Sequence, residues 1–337
     1  MLSYLQAVVI GLTQGITELF PISSLGHSVL IPALIGGSWK ALATQSSTGD
    51  SGNSFYLAFI VALHVATAVA LLIFFRTEWI RIIRGFLTSL RPSLAARRLV
   101  VRDDDERLAW LLIIATIPVG LTGVALEHTF RTIFAKPLAA AIFLTVNGVV
   151  LLVGERLRRR ADANANADAN ADADADADAG RPATSGRSSA APSLAPDSAP
   201  VLTEHGARPI LSLSYKEALG VGTYQIAALF AGISRSGVAM VGGLARGLSH
   251  EDAARFSFLL ATPVIFAAGV LKLPSLAGPA GAHIHGQVFV GSLVAGTAAY
   301  ASVRFLVRYF QTRTLTPFAV YSLVAGVACI LRFSVFS

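Results

Sequence analysis

Two stretches of sequence, QGITELFPISSLGH at residues 14–27 and AGISRSG at residues 231–237, decide how this chain folds. Each lies inside a long apolar, glycine-containing region, Met1–Trp39 for the first and Ala218–Ala245 for the second. Irregular backbone at membrane depth is tolerated only where protein or a water-filled cavity surrounds it. We therefore predict that each region is a broken helical hairpin, either re-entrant or a pair of short helices.

The composition is that of a membrane protein. Of the 337 residues, 54% are hydrophobic and 14% are charged, whereas soluble domains carry about 25% charged residues. A single cysteine, Cys329, excludes an intrachain disulfide and a multi-cysteine zinc site. The formal net charge of +7 fits the basic excess that membrane proteins keep on their cytoplasmic side, so we expect no nucleic-acid partner.

Six further runs contain no Asp, Glu, Lys or Arg, and they approach the roughly 20 residues that a helix needs to cross the hydrocarbon layer. Lipid offers the backbone no hydrogen bonds, so helices are the natural structure for such runs. The predicted fold class is an all-α integral membrane protein with six spanning helices and the two broken hairpins. The six runs are Phe55–Phe75, Leu108–Leu126, Pro137–Val153, Phe256–Leu271, Gly286–Val303 and Thr314–Leu331.

Arginine-rich connections set the predicted orientation. They lie at residues 76–107, 156–160 and 304–313, and the positive-inside rule places all three in the cytoplasm. The first hairpin then opens to the outside and the second to the cytoplasm. The motif ISxxG recurs in both, at Ile22–Gly26 and Ile233–Gly237, which indicates two halves of opposite orientation.

This predicted inverted repeat has an N-terminal half at residues 1–155 and a C-terminal half at residues 214–337. Inverted repeats commonly build a site near the midplane, where their broken elements meet. Residues 156–213 contain an alternation of Ala with Asp or Asn, followed by a Ser/Pro/Ala-rich stretch. Such residues form strands poorly and bury little surface, so we predict a disordered cytoplasmic linker.

The first hairpin carries residues suited to bind phosphate. Gln14 and Glu18 are four residues apart and share one helix face. Pro21 ends that helix because it has no amide hydrogen, and Ser23 or Ser24 then caps a second helix. A helix N-terminus with free amides and hydroxyls is a natural seat for a phosphate group.

Two further residues complete this cluster. Gly26 lets the backbone approach a ligand closely, and His27 lies within reach of a hydroxyl or a phosphate oxygen. The alternative is that Glu18 and His27 only pair with each other to stabilise the helix break. We disfavour it because a carboxylate at membrane depth costs about 2.5–3.5 kcal/mol, and an apolar pair would serve packing better.

The second hairpin places one arginine, Arg235, among Ser234, Ser236 and Gly237. Its guanidinium stays charged, and its planar fork matches phosphate oxygens. An Arg235–Glu18 ion pair that locks the two halves together is the structural alternative, and it does not exclude a functional role. A carboxylate, an imidazole, hydroxyls and an arginine together predict phosphoryl transfer in a membrane-embedded pocket.

On these motifs the chain resembles bacterial undecaprenyl-diphosphate phosphatases of the bacitracin-resistance type. The likeness rests on QGITELFPISSLGH and on AGISRSG followed by RFSFLLATPV, and it covers roughly residues 1–155 and 210–337. Gln14 stands where some relatives carry a glutamate, and Ala231 replaces a usual proline. The Ala/Asp linker looks like an insertion of this chain.

The resemblance implies hydrolysis of undecaprenyl diphosphate to the monophosphate and inorganic phosphate, which recycles the lipid carrier for cell-wall synthesis. It also implies a divalent cation, Mg²⁺ or Ca²⁺, held partly by Glu18. The implied catalytic residues are Glu18, Ser24, His27 and Arg235, and we expect substrate binding by Gln14, Ser23, Gly26, Ser234, Ser236 and Gly237. Ser24 is the expected nucleophile, activated by His27 or Glu18, and direct activation of water is the alternative.

A transporter or flippase for a lipid phosphate is the competing function, because inverted repeats and broken helices are typical of transporters. We expect a multi-pass protein of the bacterial inner membrane whose site opens to the outer face. Its expected partners are undecaprenyl diphosphate and the lipid bilayer, and a homodimer is left open.

Three other polar residues have simpler interpretations. His64 lies in the middle of a charge-free run, where it either faces the cavity or packs between helices. Glu155 and His250 are expected on the cytoplasmic surface.

Overall fold

The computed structural model describes residues 2–39, 55–134, 136–178, 207–272 and 284–335. Within these ranges the chain forms eleven α-helices and two short 3₁₀ helices, at residues 210–212 and 225–229, and no β-strand. The α-helices are α1 (Tyr4–Thr17), α2 (Ser24–Ile35), α3 (Phe55–Phe74), α4 (Arg76–Ala96), α5 (Asp104–Phe134), α6 (Pro137–Asp178), α7 (Tyr215–Tyr224), α8 (Arg235–Leu244), α9 (His250–Lys272), α10 (His285–Tyr309) and α11 (Thr316–Val335).

Helices long and apolar enough to cross a membrane dominate the fold. Five qualify separately, namely α5, α6, α9, α10 and α11, and α3 with α4 forms a sixth candidate that is bent by 89°. The bend falls at Phe75, directly before Arg76, where the uncharged run ends. The predicted class of an all-α integral membrane protein is confirmed, and six spans are reached when the bent pair is counted.

Each predicted hairpin is a pair of short helices. The first consists of α1 with 14 residues and α2 with 12, and the second of α7 and α8 with 10 each. None reaches the roughly 17–25 residues of a full crossing. A capping box begins each hairpin. The hydroxyls of Ser3 and Ser214 each accept a hydrogen bond from the backbone amide three residues later, and the side chain of that later residue accepts one from the backbone amide of the serine.

The hairpins are held by helices that are distant from them in sequence. The first helix of one hairpin, α1, packs along α10, and the first helix of the other, α7, packs along α5. The long helices α6 and α11 pack against each other, and α3 packs against both α9 and α10. The division into two halves at the predicted boundaries stays a prediction.

The prediction that the linker is disordered was wrong for the part of the linker that the structure describes. Helix α6 continues past Val153 to Asp178, because alanine has the highest helix propensity and extending an existing helix avoids the cost of nucleation. Residues 207–213 are also packed, since the guanidinium of Arg107 donates to the carbonyl oxygens of Leu211 at 2.6 Å and Leu213 at 2.8 Å. Residues 179–206 of the predicted linker lie outside the described residues.

The expectation that Glu155 and His250 lie on the surface was also wrong. Both are buried, and the Nε2 atom of His250 lies 2.9 Å from the Oε2 atom of Glu155. The amide of Leu315 also points to this oxygen, at 3.4 Å. Burial of a carboxylate requires partners, and these partners join α6 to the first residues of α9 and to the residue before α11.

A candidate active site between the hairpin tips

The first hairpin breaks where the sequence predicts. Helix α1 ends at Thr17, and Glu18 caps its last turn. Gln14 lies one turn before Glu18, and its Nε2 atom donates to Glu18 Oε2 at 3.0 Å. Pro21 follows in the turn before α2, so the carboxylate sits at the end of one helix and faces the beginning of the next.

Serine caps begin the second helix of each hairpin. Ser23 accepts a hydrogen bond from the Gly26 amide at 3.2 Å, and Ser234 accepts one from the Gly237 amide at 3.2 Å. Ser23 has a φ of 71°, a conformation that costs a non-glycine residue of order 1–3 kcal/mol and is found at functional sites. The predicted helix start is therefore present, with Ser23 as the cap and Ser24 as the first helical residue.

The two hairpin tips touch each other. The amide of Gly232 donates to the Ser23 hydroxyl at 3.2 Å. Gly232 has a φ of 117°, and a Cβ atom there would lie 2.4 Å from the carbonyl oxygen of Ala140. A Cβ atom on Gly26 would lie 3.0 Å from the Cα atom of Gly232, so the contact requires glycine.

Asn147, in the middle of α6, joins both tips. Its Nδ2 atom donates to the Pro21 carbonyl at 3.0 Å and to the Ser322 hydroxyl at 3.2 Å. Its Oδ1 atom accepts from the Ser234 amide at 2.9 Å. The side chain is fully buried, so one amide group fixes the backbone just before each serine cap.

Glu18 is the centre of the site. Its Oε1 atom accepts from Arg235 Nη2 at 2.7 Å, and its Oε2 atom accepts from the Ser24 hydroxyl at 2.5 Å. Gln14 and His64 also approach Oε2, at 3.0 Å and 3.3 Å. Ser24 and Arg235, which the sequence assigns to one pocket, thus bond to the same carboxylate, and the Arg235–Glu18 ion pair, which the sequence offered as an alternative, is part of the same cluster.

His64 faces the cavity, which is one of the two interpretations that the sequence left open. Its Nε2 atom lies 3.3 Å from Glu18 Oε2, and its Nδ1 atom lies 2.8 Å from the carbonyl oxygen of Ile60. Both ring nitrogens thus face oxygen atoms. Arg235 and His64 each approach one oxygen of the same carboxylate.

His27 does not join this cluster. Its Nδ1 atom lies 2.7 Å from the Ser23 carbonyl oxygen, and its Nε2 atom lies 2.8 Å from the Tyr321 hydroxyl on α11. A neutral ring that donates through Nδ1 and accepts through Nε2 satisfies both contacts. Both ring nitrogens of His27 are therefore engaged by Ser23 and Tyr321. His27 contacts neither the Ser24 hydroxyl, as the sequence led us to expect, nor Glu18, as the alternative required.

A cavity of about 370 Å³ opens beside Glu18. Its polar lining includes Ser24, His64 and Arg235, and α3, α5 and α9 supply apolar walls. Within the part of the chain that the structure describes, three buried polar atoms of lining residues have no hydrogen-bond partner, and they are Ser28 Oγ, Gln225 Oε1 and Arg235 Nη1. Buried polar groups are normally satisfied, so these atoms are available to a polar ligand.

The predicted substrate-binding residues divide into two groups. Ser23 and Ser234 line the cavity, whereas Gln14, Gly26, Ser236 and Gly237 lie behind it. Ser236 bonds to the Ser234 hydroxyl at 3.0 Å, and the Ser257 hydroxyl donates to the Ser236 carbonyl at 3.2 Å. The residues of the second group therefore support the tips from behind.

The side chains of the site could bind a divalent cation only if the substrate supplied some of the oxygen ligands. Among the described residues no three His, Cys, Asp or Glu side chains cluster as a metal site, and both oxygens of Glu18 already accept hydrogen bonds. The Oε1 atom of Gln14 is buried and without a partner, so it is a second oxygen donor beside Glu18. Mg²⁺ is commonly bound by one or two protein oxygens together with substrate phosphates, and these residues fit that arrangement.

Sequence reasoning missed Asn147 and Tyr321, and it left His64 undecided. Asn147 and His64 each interrupt an apolar run with a polar group near its middle, and such residues mark functional positions in membrane helices. That signal was available for both. Tyr321 gives no comparable signal, because tyrosine is common near membrane interfaces.

Comparison with known proteins agrees with this geometry. The family model described as bacitracin resistance protein BacA matches residues 7–180 and 191–328. A Frankia alni protein named undecaprenyl-diphosphatase 2 is 60% identical over 99% of each chain. The undecaprenyl-diphosphatase of Mycolicibacterium paratuberculosis is 53% identical over 98% of this chain and 97% of its own, and the undecaprenyl-diphosphatase 2 of Burkholderia lata is 39% identical over 96% and 94%. The chain belongs to the bacitracin resistance protein BacA family.

Proposed function

We propose that this protein hydrolyses undecaprenyl diphosphate to undecaprenyl phosphate and inorganic phosphate, and so recycles the lipid carrier for cell-wall synthesis. The observation that carries the proposal is the arrangement of Ser24, Arg235 and His64 around Glu18 in one membrane-embedded cavity. The names of the three relatives given above describe the same activity. None of those names describes a transporter.

The charges of the site favour a diphosphate group. One carboxylate, Glu18, pairs with the guanidinium of Arg235 at 2.7 Å, and His64 lies 3.3 Å from its other oxygen, so protonation of His64 would give the site a net positive charge. The unpartnered Nη1 atom of Arg235 is a donor that remains free for a phosphate oxygen, and guanidinium binds such oxygens through its fork. The apolar walls of the cavity suit the first isoprene units of the lipid.

Ser24 is the proposed nucleophile. Its hydroxyl donates to Glu18 Oε2 at 2.5 Å, which is the geometry of a nucleophile and its general base. Attack of Oγ on the terminal phosphorus transfers the hydroxyl proton to Glu18, breaks the anhydride P–O bond and releases undecaprenyl phosphate, whose departing oxygen takes the proton from Glu18. One water molecule then hydrolyses the phosphoserine, which gives inorganic phosphate and regenerates the hydroxyl. Direct attack of water, activated by Glu18, is the alternative.

A divalent cation, Mg²⁺ or Ca²⁺, is also proposed for the working enzyme. Glu18, which lines the cavity, would hold it together with oxygens of the diphosphate, and Gln14 bonds to Glu18 from behind. When bound, it would neutralise charge that develops on the phosphate oxygens. Arg235 supplies the same kind of stabilisation from the opposite tip.

His27 acts as a positioning residue in this proposal. It bonds to the carbonyl of Ser23, whose backbone is in an unfavourable conformation, and Tyr321 fixes the other side of its ring. We expect His27→Asn to lower kcat without changing the shape of the pH–rate profile. Loss of one limb of that profile would instead identify His27 as the general acid or base.

The proposed site opens to the outer face of the inner membrane. The cavity is lined by residues 56–64 of α3, 119–123 of α5 and 264–268 of α9. The α3 stretch lies in the half of its helix away from the arginine-rich connection that the positive-inside rule assigns to the cytoplasm, and the α5 and α9 stretches lie at or just beyond the middle of theirs. The cation, this orientation and the homodimer left open by the sequence stay predictions.

The decisive experiment measures phosphate release from undecaprenyl diphosphate by the purified protein in detergent. We expect Arg235→Ala to lower kcat/KM about 10²–10³-fold, the usual effect of removing one oxyanion donor. Arg235→Lys should recover little, because a point charge does not replace a fork. Arg246→Lys is the matched control, since Arg246 bonds to the Gly242 carbonyl at the end of α8 and does not line the cavity. Equal activity of wild type and Arg235→Ala would refute the proposal.

A second experiment separates the two nucleophiles. With radiolabelled terminal phosphate, an acid quench should trap label on the wild-type protein and none on Ser24→Ala. Near-normal turnover by Ser24→Ala would remove serine from this role and leave water activated by Glu18. Transfer of the lipid between leaflets of vesicles without phosphate release would favour the transporter instead.

A further inference from the structure

Helix α4 has an amphipathic surface that the proposed reaction does not use. It is bent by 89° from α3, so it runs roughly parallel to the membrane plane if α3 crosses the membrane. One face, with Ile82, Gly85 and Ser89, is buried against α5. A helix that lies in this plane commonly buries an apolar face at the boundary of headgroups and acyl chains.

The opposite face of α4 combines exposed apolar residues with arginines. Ile80, Leu87 and Leu94 are 67%, 58% and 75% exposed. At 100° per residue these side chains lie within about 40° of one another, and Arg84 and Arg91 lie on the adjoining strip of the helix surface. An apolar stripe beside a basic strip is typical of a helix that contacts anionic lipid.

Four of these residues, Ile80, Leu87, Arg84 and Arg91, line an open groove of about 730 Å³. Ile80, Ile83 and Leu87 form its apolar side, and Arg84, Arg91 and Arg102 form its basic side. In the described ranges none of these three guanidinium groups takes part in a hydrogen bond or an ion pair. By contrast, Arg81 on the same helix lies 3.9 Å from Asp105, so the three arginines of the groove differ from Arg81 in having no acidic partner among the described residues.

We propose that this groove binds the headgroup of an anionic phospholipid from the surrounding bilayer. The arginines would hold its phosphate, and the apolar side would lie along the first carbons of its acyl chains. Only such a lipid would contact both the basic and the apolar side of the groove, because a soluble anion would leave Ile80, Ile83 and Leu87 exposed. The site is separate from the Glu18 cavity, and none of its residues lines that cavity.

The test measures binding of spin-labelled phosphatidylglycerol to the full chain in phosphatidylcholine vesicles. A basic residue near an anionic membrane surface contributes about a fivefold gain in affinity, so the double variant Arg84→Gln/Arg91→Gln should bind phosphatidylglycerol about 30-fold more weakly relative to phosphatidylcholine. The matched control is Arg97→Gln/Arg98→Gln, which removes the same charge at exposed positions just after α4 but outside the groove. It should change this ratio less than threefold. Circular dichroism and gel filtration check that every variant is folded.

The outcomes are distinct. A loss of phosphatidylglycerol binding in the groove variant but not in the control supports a phospholipid site. Leu87→Asn should then also weaken binding of the lipid and leave binding of inorganic phosphate unchanged. Equal losses in the groove variant and the control would show diffuse charge attraction and overturn the proposal. Competition by inorganic phosphate as strong as that by the lipid would also overturn it, because it would identify a soluble anion as the ligand. Unchanged binding in the groove variant would overturn it directly.

Discussion

Replacing Asn147 by alanine tests whether one buried amide holds both hairpin tips in place. The substitution removes hydrogen bonds to the Pro21 carbonyl, the Ser234 amide and the Ser322 hydroxyl. Pro21 lies two residues before the Ser23 cap, and Ser234 directly precedes Arg235. The change should therefore lower both the stability of the fold and the activity of the site.

The size of the effect follows from which groups lose their partners. A buried backbone group left without a partner costs about 1–3 kcal/mol, and here two such groups are orphaned, one carbonyl and one amide. The free energy of unfolding should therefore fall by about 2–6 kcal/mol. The Ser322 hydroxyl adds little, because it can rotate toward another acceptor. A loss of 2 kcal/mol corresponds to a drop in Tm of about 3 °C in a chain of this length, because the entropy of unfolding is about 2.1 cal/mol/K per residue.

The assay combines thermal unfolding in detergent with kcat/KM for phosphate release. Asn147→Ala should lower Tm by at least about 3 °C and kcat/KM by about 10²-fold, the cost of roughly 1 Å of misplacement between reacting groups. Ser322→Ala is the matched control, because it removes one of the three hydrogen bonds and leaves both tips attached. We expect that control to change Tm by about 2 °C or less. If Asn147→Ala matched wild type in Tm and in kcat/KM, the tips would not depend on this amide.

Three more predictions follow from the same contacts. Gly232→Ala should lower Tm more than Gly36→Ala, because both glycines have positive φ but only at Gly232 would a Cβ atom meet a carbonyl oxygen, at 2.4 Å; equal losses would remove the close approach of the tips as the reason. Hydrogen bonds from Arg208 lower the pKa of Glu217 to about 2, so this carboxylate stabilises the fold above pH 4.5 and loses that effect as the pH falls toward 2. Glu217→Gln should thus lower Tm at pH 7 and match wild type near pH 2, and a pH-independent difference would contradict the ion pair. Chelation of divalent cations should reduce phosphate release, and Gln14→Glu should lower the Mg²⁺ concentration that gives half-maximal activity; insensitivity of both proteins to the chelator would contradict the cation.

Much of the site could be predicted from the sequence because membrane depth makes polar residues conspicuous. Glu18 and Arg235 stand out in apolar hairpins, and the structure brings them to 2.7 Å. His27 stands out equally, yet its ring turns to Tyr321. Spacing along one helix gives the angle of a side chain but not which distant helix packs beside it, and α11 lies almost 300 residues further along the chain.

The linker shows a different limit of sequence reasoning. We predicted disorder for the alternation of Ala with Asp or Asn because it lacks large apolar residues. That lack excludes a buried core but does not exclude an exposed helix. Helix α6 extends to Asp178 because it is already formed where that segment begins. Glu155 and His250 were misjudged for a related reason, since their hydrogen bond joins α6 to α9 and neither local sequence contains a sign of the other.

The link between Glu18 and Arg235 also fixes the order in which the enzyme is completed. Arg235 is synthesised 217 residues after Glu18, so the ribosome delivers the carboxylate to the membrane long before its arginine exists. His64, which lies 3.3 Å from the carboxylate in the folded protein, belongs to the next long helix to emerge. A chain cut short before the second hairpin would thus hold the carboxylate without its arginine, and the Glu18–Arg235 pair can form only after 235 of the 337 residues have been translated.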